Sequence, residues 1–479
     1  KVKDVDGTYY EIRKAVSYNG IVTKSGDCGA IIAWANPKIQ NEKIFGIHVA
    51  GDTSNAYGCG GIITREALDA VITDDIDFVT DEEISPQCCD LEDNFDVIED
   101  KIRTPQVPTK TAYTKTRLFG LFGDDAASEL PCQLDKLFTE RYYLNMSSKY
   151  GKRSQPDISY QKVSDEFFDF LMTNSRNPCK PTIYSFEQAV LGDGESLRSV
   201  DRSTSAGWPY NLNRRTSKKS YFFGKEQLHD VVGERAKLIE QQCLEYEASL
   251  VKGVRIPQNY TDFPKDELVK KEKALGGKIR LISACTVVLL VSIRKYFGAF
   301  MSWITRNCIS NGSAIGIDPY SGDWDMLATK LHSKGKRVNA GDHKDYDAKH
   351  VTTAMWAVLD LINRWYNDEH SKIRTGLFLE IVCSRHAFKN RLVEWNGNMP
   401  PGNPLTSIIN TLCNHLYIRQ CFDILAPDLN FDFHVFLVCQ GDDNIYSVSD
   451  EASRFFNEFT VIGAMALQGL TYTLETKKE

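Results

Sequence analysis

The chain has 479 residues, enough for two to four domains and a sizeable core at roughly 100–200 residues per domain. Hydrophobic residues make up 42% and charged residues 25%, ordinary globular values that exclude a wholly disordered chain. No run approaches the ~18 consecutive apolar residues of a membrane span, and the nearest, Val287 to Ile293, meets Arg294 and Lys295 at once.

The net charge of −7 is unevenly placed. Twelve acidic residues and no Lys or Arg lie between Asp74 and Asp100, which leaves +5 on the rest of the chain. The global sign therefore does not exclude a polyanionic partner. The 13 cysteines are odd in number and show no C-x-x-C pairs, so buried thiols in a reducing compartment are expected rather than disulfides or zinc. The opening Lys1-Val2-Lys3 has no Met and no leader, and reads as the interior of a longer product.

In chain order, residues 1–73 carry short apolar runs, Ala30–Ala35 and Ile44–Ala50, broken by Gly, Asn and Pro, as antiparallel strands with tight turns are. Residues 74–106, with Pro86 and Pro105, read as an acidic linker. From Val107 to Glu479 the composition is mixed. Arg337–Asp342 is predicted as a strand. Met355, Val358, Leu359, Ile362, Trp365 and Tyr366 give 351–367 a helical period. A second helix is predicted from about Pro404, a good first-turn residue, with Leu405, Ile408, Ile409, Leu412 and Leu416 on one face. His434–Cys439 and Asn444–Val448 flank a Gly-Asp-Asp turn, the outline of a hairpin.

Three features of this region belong together chemically. Asp342-His-Lys-Asp-Tyr-Asp347 follows the strand, Gly441-Asp442-Asp443 fills the hairpin turn, and Thr406, Asn410 and Asn414 form a polar stripe on the helix between them. Nucleotidyl transfer uses two divalent ions about 3.5–4 Å apart, bridged by carboxylates. Mg²⁺ takes one or two carboxylates plus phosphate oxygens, so Asp342 and Asp442 on adjacent strands would suffice. Alone, a Gly-Asp-Asp is usually a surface turn; the order and spacing of all three features favour chemistry.

These residues resemble the RNA-dependent RNA polymerases of picornavirus-like positive-strand RNA viruses. Asp342…Asp347 resembles the first palm motif, Pro400-Pro-Gly-Asn-Pro-Leu-Thr406-Ser-Ile-Ile-Asn410 the second, Gly441-Asp442-Asp443 the third and Gly469…Lys477 the fourth. Upstream, Lys265-Asp-Glu-Leu268 and Gly277-Lys278-Ile-Arg280 resemble the basic finger motif, Asp201…Tyr210 the template-gripping loop, and Ala314…Tyr320 a further landmark.

The resemblance implies an α+β right hand with fingers and palm, the palm core at about 335–453. It implies two Mg²⁺ or Mn²⁺ ions on Asp342, Asp442 and Asp443, and Lys477 as the proton donor to pyrophosphate. Lys265, Lys273, Lys278 and Arg280 would meet the nucleotide, while Asp347, Thr406 and Asn410 would read its sugar hydroxyls. Thr204, Ser205 and Gly207 would contact the template, with Arg214, Arg215, Lys218 and Lys219 as further backbone contacts. The chain departs from the family at Pro401 (usually Ser), Gln440 (usually Tyr) and Val269 (usually basic, with Lys270 adjacent). The sequence stops two residues past Lys477, so the fifth motif and the thumb are expected to lie beyond it, and the chain alone to make little long product.

Gly26-Asp27-Cys28-Gly29 and Gly46-Ile47-His48 resemble the C-terminal part of the all-β, chymotrypsin-like cysteine proteinase that precedes such polymerases. Cys28 would be the nucleophile, and His48 would line the substrate pocket. His48 is the only His before His229, so no general base remains, and peptide cleavage is not expected. Gln87-Cys88 and Gln106-Val107 are candidate processing sites, the latter favoured because Val107 opens the polymerase-like region.

The function expected is RNA-templated RNA synthesis within a viral polyprotein. RNA template and primer and ribonucleoside triphosphates would be its partners, with a small genome-linked protein and other replication proteins by analogy, at membrane-associated complexes in the host cytoplasm. Two competing readings are a cysteine endopeptidase precursor carrying the polymerase as passenger, and a catalytically silent RNA-binding platform.

Overall fold

The computed structural model describes residues 2–3, 9–10, 15–19, 31–33, 44–52, 57–62, 95–99, 101–105, 111–114, 129–132 and 146–474, apart from 227, 276–278 and 389. Two compact units divide the chain, Lys1–Gln87 and Cys88–Glu479.

In the first unit β1 (Val2–Lys3) pairs with β2 (Tyr9–Tyr10). The strands β3 (Ala15–Asn19), β4 (Ile31–Ala33), β5 (Ile44–Asp52) and β6 (Tyr57–Ile62) form an antiparallel sheet in the order β3-β6-β5-β4. Ile31–Ala33 of the first apolar run and all of the second, Ile44–Ala50, are therefore strand. Among the described residues the sheet is open and no closed barrel is formed.

The second unit runs β7 (Asp96–Glu99), β8 (Glu129–Pro131), α1 (Gln161–Asn174), α2 (Glu234–Val251), β9 (Asn259–Pro264), β10 (Leu268–Lys270), β11 (Leu281–Ala284), α3 (Val287–Arg306) and α4 (Asp323–Leu331). It continues with β12 (Arg337–His343), α5 (Thr352–Tyr366), α6 (Ser371–Val382), β13 (Cys383–Phe388), β14 (Arg391–Asn396), α7 (Thr406–Leu425), β15 (Val435–Gln440), β16 (Asp443–Val448), α8 (Glu458–Leu467) and β17 (Tyr472–Leu474). The mixture of helices and sheets is the α+β class expected.

Two larger sheets organise this unit. One has the order β11-β9-β13-β14-β7, antiparallel except for β9 with β13. The other, β15-β16-β12-β17, is antiparallel throughout. One large apolar core joins the helices to the second sheet. The helix α5 shows how: its six periodic apolar residues are all buried, and it ends where Asn367 turns left-handed (φ 46°).

The linker expected over 74–106 is corrected by β7. Asp96–Glu99 pairs with β14, and Phe95 packs into a cluster with Trp395. Val97 and Ile98 supply the strand propensity, and the flanking carboxylates suit an edge strand, which faces water on one side.

A second difference concerns α3. Its length and a mean hydropathy of 1.4 would allow a membrane crossing, yet most of it is buried in the unit. The charges that interrupt the apolar run are satisfied locally: Arg294 Nε donates to the Ala189 carbonyl at 2.5 Å, and Lys295 pairs with Glu247 at 2.6 Å.

The first large sheet contains a Ser–His–Asp arrangement. His386 Nδ1 lies 2.8 Å from Asp262, and its Nε2 lies 2.9 Å from the Ser384 hydroxyl. All three are enclosed, and the Ser283 hydroxyl also donates to Asp262 at 2.6 Å. With no route for a substrate, the arrangement pins β9, β11 and β13 together.

Candidate active site

The site grows from two neighbouring strands. β12 pairs with β16 in the register Gly341↔Asn444, so Asp342 lies one residue beyond that pair, level with the start of β16. Asp443 begins β16, and Gly441-Asp442 forms the turn from β15. Gly441 has φ +64°, a left-handed value that glycine adopts without strain. Asp342, Asp442 and Asp443 are all exposed, whereas the strand residues beneath them are largely buried.

The helix α7 anchors this turn from below. Asn414 Nδ2 donates to the carbonyls of Gly441 (3.0 Å), Asp442 (2.9 Å) and Asp443 (3.3 Å). The Thr411 hydroxyl accepts from the Gly441 amide at 2.8 Å. With its amide hydrogens on carbonyls, the Asn414 oxygen accepts from His343 Nε2 at 3.2 Å. Burial lowers the His343 pKa to about 4, so the ring is neutral and acts as a spacer. On the other side of β12, Asp342 pairs with Thr473 of β17, the strand leading toward Lys477.

One helical turn earlier, Asn410 Nδ2 donates to Asp347 at 2.7 Å. Asp347 sits in a short helical turn, Tyr346–Ala348, entered through Asp345 in the left-handed region (φ 55°) that Asp tolerates. Burial raises the Asp347 pKa from its ordinary value; the Asn410 bond opposes this, and the Asp442 charge adds to it. Asp347 and the Gly-Asp-Asp turn thus share one electrostatic environment.

Beside the paired ends of β9 and β11, Arg280 is held by a forked contact with Glu267, and Lys265 lies 3.6 Å from the same carboxylate. The Glu267 pKa is pushed up by burial but lowered overall by these two cations. The Arg280 pKa is raised, first by Glu267 and to a lesser degree by Asp442 and Asp347. Arg280 therefore carries a fixed positive charge within the field of Asp442 and Asp347.

Of the residues singled out in the sequence, Asp342 lies level with the Asp442-Asp443 turn, Asn410 is bonded to Asp347, and Arg280 and Lys265 share Glu267. Lys273 is exposed on a short helix, Lys271–Leu275. Lys278, Lys477 and Cys28 lie outside the described residues. His48 belongs to β5, but its side chain lies outside the description.

Thr406 departs from expectation. Its hydroxyl donates to the carbonyls of Pro400 (3.2 Å) and Asn403 (2.9 Å), closing the loop before α7 instead of joining Asp347 and Asn410. Gly207 also departs, because it is buried, with φ +77°, and a Cβ there would meet the Cys285 carbonyl at 2.2 Å. It serves close packing, so of the three residues expected to contact the template only Thr204, exposed, and Ser205, half-buried, are accessible. Lys219 is likewise buried and donates to the Thr204 hydroxyl at 2.5 Å. At the unusual Pro401, the carbonyl accepts from the Ser283 amide and ties the loop to β11.

Sequence reasoning missed Glu267, Thr411, His350 and Tyr417. A signal existed for the last two: His350 follows Asp347 by three residues, and Tyr417 follows Asn410 by two helical turns.

A family model described as viral RNA-dependent RNA polymerase matches residues 134–479. The chain belongs to this family. It is similar to the replicase polyproteins of acute bee paralysis virus (strain Rothamsted), at 27% identity over 98% of this chain, and of cricket paralysis virus, at 26% over 99%. It is also similar to the genome polyprotein of deformed wing virus, at 27% over 96%. The chain spans 26%, 29% and 17% of those three relatives. The solved Sicinivirus 3Dpol RNA dependent RNA polymerase has a TM-score of 0.63 to it, covering 78% of this chain and 75% of that one at 20% identity, a likeness of fold.

Proposed function

We propose that the unit Cys88–Glu479 performs RNA-templated RNA synthesis for a positive-strand RNA virus, as part of a replicase polyprotein. The observation that carries this reading is the adjacency of β12 and β16, which sets Asp342 beside the Asp442-Asp443 turn.

The donor set fits divalent cations. Three exposed carboxylates stand at paired strand ends. Among the described residues no group of three acidic, His or Cys side chains is placed to hold a metal ion by itself; Mg²⁺ or Mn²⁺ would take one or two of these carboxylates and draw its other ligands from substrate phosphates. Bound there, two such ions would activate the attacking 3′-hydroxyl and neutralise charge on the leaving pyrophosphate. The chain's own residues do the rest. Arg280 and Lys265 draw the triphosphate in, Glu267 holds them in place, and Asp347 with Asn410 reads the 2′-hydroxyl. Lys477 is proposed as proton donor by its place in the fourth motif.

The template backbone is assigned to a basic cavity of about 670 Å³ lined by Arg214, Arg215, Lys218, Lys225 and Arg235. A genome-linked protein primer, replication-complex partners and membrane-associated replication in the host cytoplasm remain part of the proposal by family analogy. So does a proteinase remnant built around Cys28 and His48.

The sugar role has its own test. In primer extension on an RNA template, Asn410→Ala and Asp347→Ala should each lower the ribo- over deoxynucleotide efficiency ratio by about tenfold or more, because the site no longer rewards a 2′-hydroxyl. Template affinity should change much less. An unchanged ratio in both variants removes these residues from sugar selection.

The course of β7 also revises the processing site. Cutting after Gln106 would detach Asp96–Glu99 from its partner β14, whereas cutting after Gln87 keeps the sheet whole. Co-expression with a complete viral proteinase should therefore yield a polymerase beginning at Cys88. N-terminal sequencing that begins at Val107 would refute this.

A further inference from the structure

Behind Asn410 lies a row of buried polar groups that the proposed chemistry does not use. His350 Nε2 lies 3.0 Å from Asn410 Oδ1, and His350 Nδ1 lies 3.1 Å from the Tyr417 hydroxyl. The Tyr417 oxygen in turn accepts from the Val351 amide at 3.0 Å. His350 and Tyr417 are fully enclosed, each at 0% exposure.

The two ends of this row have fixed character. The Val351 N–H can only donate, and an ionised Asp347 can only accept. Between them stand three groups that each do both. One direction satisfies every contact. Val351 N–H donates to Tyr417, Tyr417 O–H donates to His350 Nδ1, His350 Nε2–H donates to Asn410 Oδ1, and Asn410 Nδ2–H donates to Asp347. The opposite tautomer would turn a bare Nε2 toward the Asn410 oxygen and leave the tyrosine proton without an acceptor. Flipping the Asn410 amide to relieve that clash would aim its oxygen at the Asp347 carboxylate. Burial favours the uncharged ring, lowering its pKa to about 3. A Tyr346 hydroxyl bond to the Asn410 carbonyl, at 2.8 Å, fixes the backbone beneath the amide.

We propose that His350 and Tyr417 are positioning residues for sugar selection, a one-way hydrogen-bond relay that holds the Asn410 amide with its NH₂ toward Asp347 and the nucleotide. This rests on the sugar-reading role proposed above for Asn410. An asparagine amide is nearly symmetrical in shape, so packing alone does not choose between its orientations; the relay does. One of its two N–H groups binds Asp347 and the other has no partner among the described residues, which leaves a donor to meet a hydroxyl oxygen.

The test compares ribo- and deoxynucleotide incorporation by the polymerase carrying His350→Leu, His350→Gln, Tyr417→Phe or Asn410→Ala. Leu fills the space but donates nothing, whereas Gln offers both an N–H and a carbonyl. His350→Leu and Tyr417→Phe should lower the discrimination ratio by roughly three- to tenfold, the size expected for one lost buried hydrogen bond. His350→Gln should restore most of it. A merely structural role would slow both substrates alike and leave the ratio unmoved. If Asn410→Ala lowers the ratio while His350→Leu and Tyr417→Phe do not, the relay is overturned and the sugar role stands. If Asn410→Ala leaves the ratio unchanged, both fall. A measurement independent of variant folding is the ¹⁵N spectrum of histidine-labelled polymerase. The His350 ring should carry its proton on Nε2 with Nδ1 bare, and a proton on Nδ1 alone would overturn the proposal.

Discussion

Replacing Asp342 or Asp442 by asparagine should lower nucleotide incorporation on the order of 10³-fold, or ~4 kcal/mol of transition-state stabilisation. The substitution keeps side-chain shape and removes one negative charge from the donor set at the ends of β12 and β15–β16. Both side chains are exposed, so neither change leaves a buried polar atom unsatisfied, and thermal unfolding should shift little. Incorporation rate and melting temperature are measured on the same preparations. Incorporation within about tenfold of the parent in either variant would sink the assignment of these carboxylates, since loss of a bridging ligand costs far more than that.

Replacing Asn414 by leucine should have the next largest effect, through geometry instead of charge. The amide of Asn414 binds three consecutive carbonyls of the Gly441–Asp443 turn and receives His343 at its oxygen. Leucine fills a similar volume but removes the bonds that hold this turn and leaves the buried His343 Nε2 without its acceptor, at about 1–3 kcal/mol of stability. The turn then loses its anchor on α7, and misplacing the carboxylates by about 1 Å costs on the order of 10²-fold in rate. The maximal rate should fall with little change in the KM for nucleotide, because Arg280 and Lys265 are held separately by Glu267. A variant that raises KM and keeps the maximal rate would show that Asn414 acts on nucleotide binding instead.

The contrast between Asn410 and Thr406 shows how far a polar stripe can be read. Thr406, Asn410 and Asn414 recur every four residues and share one face of α7. The periodicity establishes the shared face but not the partners. Asn410 meets Asp347, 63 residues earlier in the chain, and Asn414 meets a turn 27 residues later. Thr406, at the first position of the helix, has the loop carbonyls of Pro400 and Asn403 within reach and turns to them. Helix-end carbonyls compete for nearby hydroxyls, and that competition is local to the loop conformation.

Side-chain pattern alone placed three of the four strands of the second sheet, β12, β15 and β16, to within a residue or so, along with the helices α5 and α7 and the order of carboxylates, amides and cations that marks the site. These are legible because side-chain period and turn chemistry act over a few residues. Tertiary structure decided what depends on distant partners. It gave Asp96–Glu99 a sheet partner at Arg391–Asn396, although the acidic composition around it reads as a linker. It buried Gly207 under the Cys285 carbonyl. It also enclosed His350 between Asn410 and Tyr417, so that a residue whose position three places after Asp347 says nothing of its partners is held neutral and directional. The physical reason is common to all three: desolvation and hydrogen-bond direction exist only once segments far apart in the chain have been packed against one another.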